Sequence, residues 1–244
     1  MSSTVRRSGY PLNSSGPRHW RFWSDESSLT SLLIVTLISL FFTCALGNFP
    51  LADLISDLLF SLIIVTGVLA TFRQRWVRYL AIILAVASLT LTWKQNIYPD
   101  ASLTIPDLVV KSIFLGMLLA VLSAQVFRAG PVTAHRIRGA VLIYLLLGVM
   151  WCFFYHFAQI ITPPAFRFPP GVSVSDPHAL ERILTYFSFI TITTTGYGDI
   201  VPIASLTRTL ALFETMVGQL YVAITLARLV SLAIAQPKVP DKSD

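Results

Sequence analysis

Six runs of mostly apolar residues divide this chain, over 29–46, 51–71, 76–93, 106–127, 137–161 and 206–235. Each is close to the roughly 20 residues that an α-helix needs to cross a bilayer. The runs stop at polar or helix-breaking residues. Gly47-Asn48-Phe49-Pro50 separates the first two, and Thr162-Pro163-Pro164 closes the fifth. Pro106 stands where the fourth run begins, a position at which its missing N–H costs nothing. Between the fifth and sixth runs the pattern changes. Pro169-Pro170-Gly171 predicts an irregular segment. Asp176-Pro177 reads as an N-cap with proline at the first helical position. The helix that follows, over 178–193, is too short to span and return. The pattern predicts an all-α membrane protein, with six transmembrane helices and a short helix between the last two.

The polar ends predict the topology. Residues 1–28 carry Ser, Pro, Gly and four arginines. They are too polar before the first apolar run for a cleavable leader and are expected to form a disordered tail, with Trp20 and Trp23 suited to the membrane interface. Thirteen of the eighteen Lys and Arg residues fall before the first run, between the second and third or just inside the third, between the fourth and fifth or just inside the fifth, or at and beyond the end of the sixth. Lys94, Arg167, Arg182 and Arg208 fall on the other side, and Lys111 lies within a run. The basic side is the cytoplasmic one. Both termini are then expected in the cytoplasm, with the chain in the cell (inner or plasma) membrane, against membrane lipid. The tail 236–244 is too short for an attached nucleotide- or calcium-sensing domain.

Composition narrows the chemistry. Of 244 residues 55% are hydrophobic and 12% charged, against about 25% charged in ordinary soluble domains. The formal charge of +6 follows membrane topology and does not form a nucleic-acid patch. Cys44 and Cys152 both sit in apolar runs. No disulfide framework, CxxC pair, metal-ligand histidine spacing or nucleophile–base pair is visible, so neither an enzyme nor an organic cofactor is expected.

The stretch Thr194-Thr195-Gly196-Tyr197-Gly198-Asp199 follows the short helix. Gly196 and Gly198 permit the positive φ values that turn successive carbonyls the same way. Irregular backbone at membrane depth persists only when buried in protein or lining a wet cavity. This stretch, within the longer string Thr191 to Pro202, resembles the potassium-channel signature sequence. The chain from residue 137 onward resembles the pore of bacterial one-pore potassium channels; the first four runs match the six-span members by layout alone.

The resemblance implies a tetrameric potassium-channel architecture: a pore domain over 137–235, with outer helix, turret, re-entrant pore helix, selectivity-filter loop 194–199 and inner helix, preceded by a four-helix membrane domain over 29–128. Carbonyls of Thr194, Thr195, Gly196 and Tyr197 would line K⁺ sites and replace its hydration shell. The Thr194 hydroxyl would add the innermost ring. One copy cannot encircle an ion, so a conducting chain is a homotetramer. The pore helix would aim its partly negative C-terminal end at the cavity, favouring a cation. Gly218 falls where relatives place an inner-helix hinge, although a glycine there equally permits close helix packing. Gln219, Val222 and Leu226 would face the cavity, with Ala227, Ser231 and Ile234 nearer an inner gate.

Two positions depart from the family pattern. Thr195 stands where valine is commonest, leaving the carbonyl unchanged. Ile190 stands where some bacterial relatives carry a glutamate that bonds the filter aspartate, so Asp199 needs another partner, for which Tyr186 is the candidate. Glu214, in the sixth run, is placed to bond Ser188 or Thr191 from behind the filter; a proton-sensing role is the alternative. Arg228 is expected to snorkel to headgroups, and His156 to be a packed residue.

The fourth run has no arginine, so weak or no voltage dependence is expected, since a sensor stacks several charges worth about 2.3 kcal/mol each per 100 mV. Its charges are Asp107 and Lys111, spaced i, i+4 with the acid first. Asp53 and Asp57 lie in the second run, with Asp57 in reach of Lys111. A register-fixing ion pair or a pH- or ligand-sensitive element are the two readings. The function expected is passive, potassium-selective conduction. The alternatives are a nonselective cation channel, a potassium transporter and a nonconducting membrane subunit.

Overall fold

The computed structural model describes residues 19–45, 52–70, 75–98, 101–128, 133–170 and 177–234. The distal tails, the 47–50 connection, the proposed N-cap Asp176 and the Asp53 side chain lie outside the described residues. Seven helices are described: α1 His19–Ala45, α2 Ala52–Ala70, α3 Arg75–Ile97, α4 Thr104–Val126, α5 Ala134–Ile161, α6 Pro177–Ile192 and α7 Ser205–Ile234. Four segments are long and apolar enough to cross a membrane: Trp76–Gln95, Thr104–Val126, Ala134–Ile161 and Ser205–Ser231. Shorter apolar stretches, Ser28–Thr43 and Leu54–Val68, lie in α1 and α2. The chain is a mostly helical, multi-pass membrane protein.

Two features depart from the apolar pattern. α1 begins at His19, inside the stretch expected to be a disordered tail. From residue 19 to residue 45 there is no Gly or Pro, so a helix nucleated by the apolar run propagates back through polar residues. The segment after α5 is not wholly irregular. β1 Phe166–Arg167 pairs antiparallel with β2 Val201–Pro202, Phe166 opposite Pro202 and Arg167 opposite Val201. The Ala165 carbonyl also accepts from the amides of Ile203 and Ala204, at 2.9 and 3.2 Å, and from the Thr207 hydroxyl at 3.0 Å. The chain entering α7 is thereby tied to the chain leaving α5.

Packing produces two buried clusters. The larger joins α1, α2, α3, α4 and α5 through Leu32, Ile64, Phe114, Leu118, Leu122, Leu142 and Leu146, among others. The smaller gathers Cys152, Tyr155, Phe166, Leu184, Phe187 and Ile200 around the base of α6. α5 belongs to both, so it is the wall shared by the first four helices and the C-terminal part. Near its N-terminal end Arg138 donates to the Thr30 hydroxyl at 2.6 Å.

The two charges within α4 are clamped. Lys111 meets Asp107 at 2.6 Å, one turn apart, with both side chains buried. The Thr92 hydroxyl donates to the other Asp107 oxygen at 3.2 Å, joining α3 to α4. The Lys111 ammonium stands 5.2 Å from the Phe60 ring centroid, an arrangement that favours a cation. Asp57, also buried, lines the same cavity as Lys111, together with His178, Glu181 and Arg182 of α6. Replacing Lys111 with methionine strands Asp107. Removing one partner of a buried pair costs about 3–5 kcal/mol, so K111M is expected to lower the thermal midpoint of the purified protein sharply. A D107N/K111M double variant should recover much of that loss, and unchanged midpoints would overturn the clamp.

Candidate functional site

Helix faces meet by spacing. On α5, Gly148, Cys152 and Tyr155 recur at i, i+4 and i+7 and form one stripe. On α6, Glu181, Thr185, Ser188 and Ile192 do the same. The stripes interlock. The Thr185 hydroxyl reaches the Cys152 sulfur at 3.2 Å, and the Ser188 hydroxyl reaches the Gly148 carbonyl at 2.7 Å. A Cβ on Gly148 would stand 2.7 Å from the Phe189 ring, so glycine here lets that ring pack directly against α5.

The C-terminal end of α6 is fully capped. A helix leaves its last four carbonyls without intrahelical partners. Here Phe189 O accepts from the Thr193 amide at 3.2 Å, Ile190 O from the Gly196 amide at 3.0 Å and Thr191 O from the Thr194 amide at 2.9 Å. Ile192 O accepts from the Tyr144 hydroxyl of α5 at 3.1 Å. The chain that supplies these amides is the segment 193–196 itself. The helix end thus anchors the loop.

Beyond that anchor the backbone alternates. Thr194, Gly196 and Gly198 have φ of 59°, 55° and 77°, whereas Thr195 and Tyr197 between them do not have positive φ. Sequence reasoning assigned positive φ to the two glycines and missed Thr194. A β-branched residue at positive φ is an outlier, and such strain of about 1–3 kcal/mol clusters at functional sites. The Thr194 hydroxyl donates to Thr193 O at 2.6 Å, and the Gln219 amide donates to it from α7 at 3.3 Å. Thr193 and Thr195 hydroxyls meet at 2.9 Å. Within one chain residues 193–199 are exposed, Tyr197 by 73%.

Residues 183–235 match the family model described as ion channel. The match begins in α6, takes in the 193–200 loop and runs past the end of α7. It supports an ion channel, and with it a non-enzymatic role. No curated protein matches the chain.

Supports surround this loop. Asp199 accepts from the Tyr186 hydroxyl at 2.9 Å and from the Ile200 amide at 3.0 Å; Ile190 is buried in the apolar cluster. On α7 a single stripe faces inward: Thr207, Glu214, Gly218 and Thr225 are buried at spacings of seven, four and seven. Glu214 meets the Ser188 hydroxyl at 2.5 Å and accepts from Tyr155, a partner that the sequence reading missed. Thr191, the other partner considered, bonds Phe187 O instead, at 2.8 Å. Its hydroxyl turns back onto the preceding turn of its own helix, as a threonine inside a helix commonly does. A Cβ on Gly218 would stand 2.4 Å from Ile192 O, so this glycine serves a close approach of α7 to the end of α6. Gln219, Val222 and Leu226 are exposed along the rest of α7.

The Arg228 guanidinium, expected to reach headgroups, donates instead to Phe127 O at 3.2 Å, where α4 ends. Phe127 lies edge-on to Tyr221, and Tyr221 stacks on Tyr144. An aromatic file therefore runs from the end of α4 to the carbonyl that Tyr144 holds at the end of α6. His156 is buried, with no hydrogen-bond partner on Nδ1. No group of three or more metal-ligating side chains occurs among the described residues.

The Tyr186–Asp199 bond is exposed, so its loss costs about 1 kcal/mol. Y186F is expected to shorten the conducting state while leaving the reversal potential unchanged. Single-channel open-time distributions check the first, and a K⁺/Na⁺ gradient checks the second. A shifted reversal potential would mean that the bond shapes the ion sites themselves.

Proposed function

We propose that the protein is a potassium-selective channel in which four chains converge on one axis. Carbonyls of Thr194, Thr195, Gly196 and Tyr197 take the place of water around K⁺, and the Thr194 hydroxyl, held by Gln219, closes the inner end. The observation that carries this reading is the φ alternation at 194, 196 and 198 directly beyond a capped helix end. Alternating hand along a short segment turns its carbonyls to one side, as a ring of ligands for a cation requires.

Exposure supports the assembly. Only 17% of the apolar window of α7 is buried against its own chain, compared with 56% for α5. Leu212, Phe213, Met216, Leu220 and Ile224 are left exposed, surface that neighbouring inner helices and lipid would cover. The polar, exposed 193–199 segment cannot face lipid, and a fourfold axis gives it a wet, protein-lined site.

α1 to α5 and α7 make six spans, with α6 entering and leaving on the outer side. The four-helix domain, 29–128, lies beside the pore domain, 137–235. The terminal segments 1–28 and 236–244 lie in the cytoplasm, by the basic-residue distribution. Lys111 is the lone basic residue of α4 and is clamped, so gating by this domain is weakly or not voltage-dependent. The localisation is the cell membrane.

The test is flux from purified protein in liposomes, followed by bilayer recording in a K⁺/Na⁺ gradient. Reversal at the K⁺ equilibrium potential and a fourfold mass in detergent are expected. Reversal near zero would make it a nonselective cation channel, and absence of flux a nonconducting subunit.

A further inference from the structure

Glu214 sits at a junction of three helices where hydrogens can be counted. Its Oε1 lies 2.5 Å from the Ser188 oxygen. Its Oε2 accepts from the Tyr155 hydroxyl. The same Ser188 oxygen lies 2.7 Å from the Gly148 carbonyl. Ser188, Tyr155 and Glu214 are all fully buried. A serine hydroxyl has one hydrogen, and a carbonyl and an ionised carboxylate are acceptors only. With an ionised Glu214, Ser188 can serve one of its two close neighbours. The other becomes an oxygen–oxygen contact at hydrogen-bond distance with no hydrogen in it, buried from water.

The charged surroundings do not relieve this. Glu214 packs against α5 and α6. Tyr155 and Ser188 face it directly, and Tyr144 and Cys152 of α5 lie within electrostatic reach. Among the described residues no Lys, Arg or His pairs with it. An unpaired charge away from water is expensive and is commonly neutralised by binding a proton.

We propose that Glu214 is protonated in the folded protein and works as a hydrogen-bond donor, making a one-way chain from the Tyr155 hydroxyl through its two carboxyl oxygens to Ser188 and on to the Gly148 carbonyl. In this chain Tyr155 gives its hydrogen to Oε2, Oε1–H gives to Ser188 Oγ, and Ser188 gives to Gly148 O. Each polar atom named then has one partner of the right kind. The neutral acid locks α7 to α5 and α6 one turn before Gly218 meets the end of α6. Glu214 is thus a positioning residue behind the candidate filter. Only its effect on conduction rests on the channel reading.

Infrared spectra of the purified protein read the proton without any need for flux. A carbonyl-stretch band of a buried protonated carboxylic acid, lost in E214Q, is expected. Glutamine keeps one acceptor and one donor at these positions, so E214Q should hold its thermal midpoint and its K⁺ flux. E214A leaves two buried hydroxyls without their partner and should lower the folded fraction about tenfold or more. Raising the pH should lower the wild-type midpoint relative to that of E214Q, because the wild-type acid must give up its donor hydrogen. Absence of the band, or an E214Q protein as damaged as E214A, would overturn the proposal. A band present in a protein that conducts nothing would sink the channel reading alone.

Discussion

Replacing Gly198 with alanine is expected to abolish K⁺ flux while leaving a folded protein. The residue has φ of 77°, and nothing lies within 4 Å of an added Cβ in a single chain. The obstacle is therefore the backbone and not space. An L-residue in the left-handed region costs about 1–2 kcal/mol. With four chains sharing one ion path, as proposed above, the total would be about 4–8 kcal/mol, enough at about 1.4 kcal/mol per decade to deplete the conducting arrangement by a hundredfold or more. Thr195→Val is the control. Thr195 lacks a positive φ, so a β-branched residue fits, the carbonyl is kept, and only the 2.9 Å hydroxyl contact with Thr193 is lost. Liposome flux should be near background for G198A and near wild type for T195V. Equal flux in all three would remove the alternating segment from the ion path.

Thr194 complicates the glycine argument usefully. It holds a φ of 59° without being glycine, so the fold sustains one strained residue at the start of the segment. What it gains there is a hydroxyl that glycine lacks, reached by Gln219. The strain sits where a side-chain hydroxyl meets Gln219 and is avoided at 196 and 198, where glycine takes the positive φ.

The parts that were legible in the sequence are those fixed by local rules. Apolar run length located α2 to α5 and α7 to within a few residues, because a bilayer-length helix announces itself by length. The Pro177 start and the Gly-Tyr-Gly stretch located α6 and its loop. The parts that were not legible depend on which helix faces meet. Tyr155 carries no mark in an apolar run, and its hydroxyl acquires meaning only when α5 is set beside Glu214. The same holds for Tyr144 and Ile192, thirty or more positions apart in the chain, and for Arg228 and Phe127. The α1 extension was missed for another reason. Polarity signals exposure, whereas helix continuation needs only the absence of Gly and Pro. The β1–β2 pairing was hidden because two-residue strands hold too few side chains to show a period of two.

Gly218 separates two readings of the inner helix, and its replacement by alanine is expected to destroy K⁺ binding as well as conduction. The added Cβ would stand 2.4 Å from Ile192 O and 2.7 Å from Ile192 Cγ1. A backbone oxygen at the capped end of α6 cannot swing aside as a flexible side chain does, so α7 must retreat by about 1 Å to reach ordinary van der Waals separation. That retreat carries Glu214, four residues earlier, away from Ser188, and Gln219 away from Thr194. Overpacking of this kind costs about 1–3 kcal/mol per site, and in the proposed tetramer it would recur in each chain. If Gly218 acted as a hinge alone, alanine would stiffen α7, alter gating and leave the ion sites intact. Calorimetric titration of detergent-purified G218A with K⁺ distinguishes the two: lost binding with a lowered midpoint follows from close packing, and preserved binding with altered open probability from a hinge. Gly116→Ala is the matched control, since its Cβ would meet only the flexible Met150 Cε at 3.4 Å and should change neither quantity.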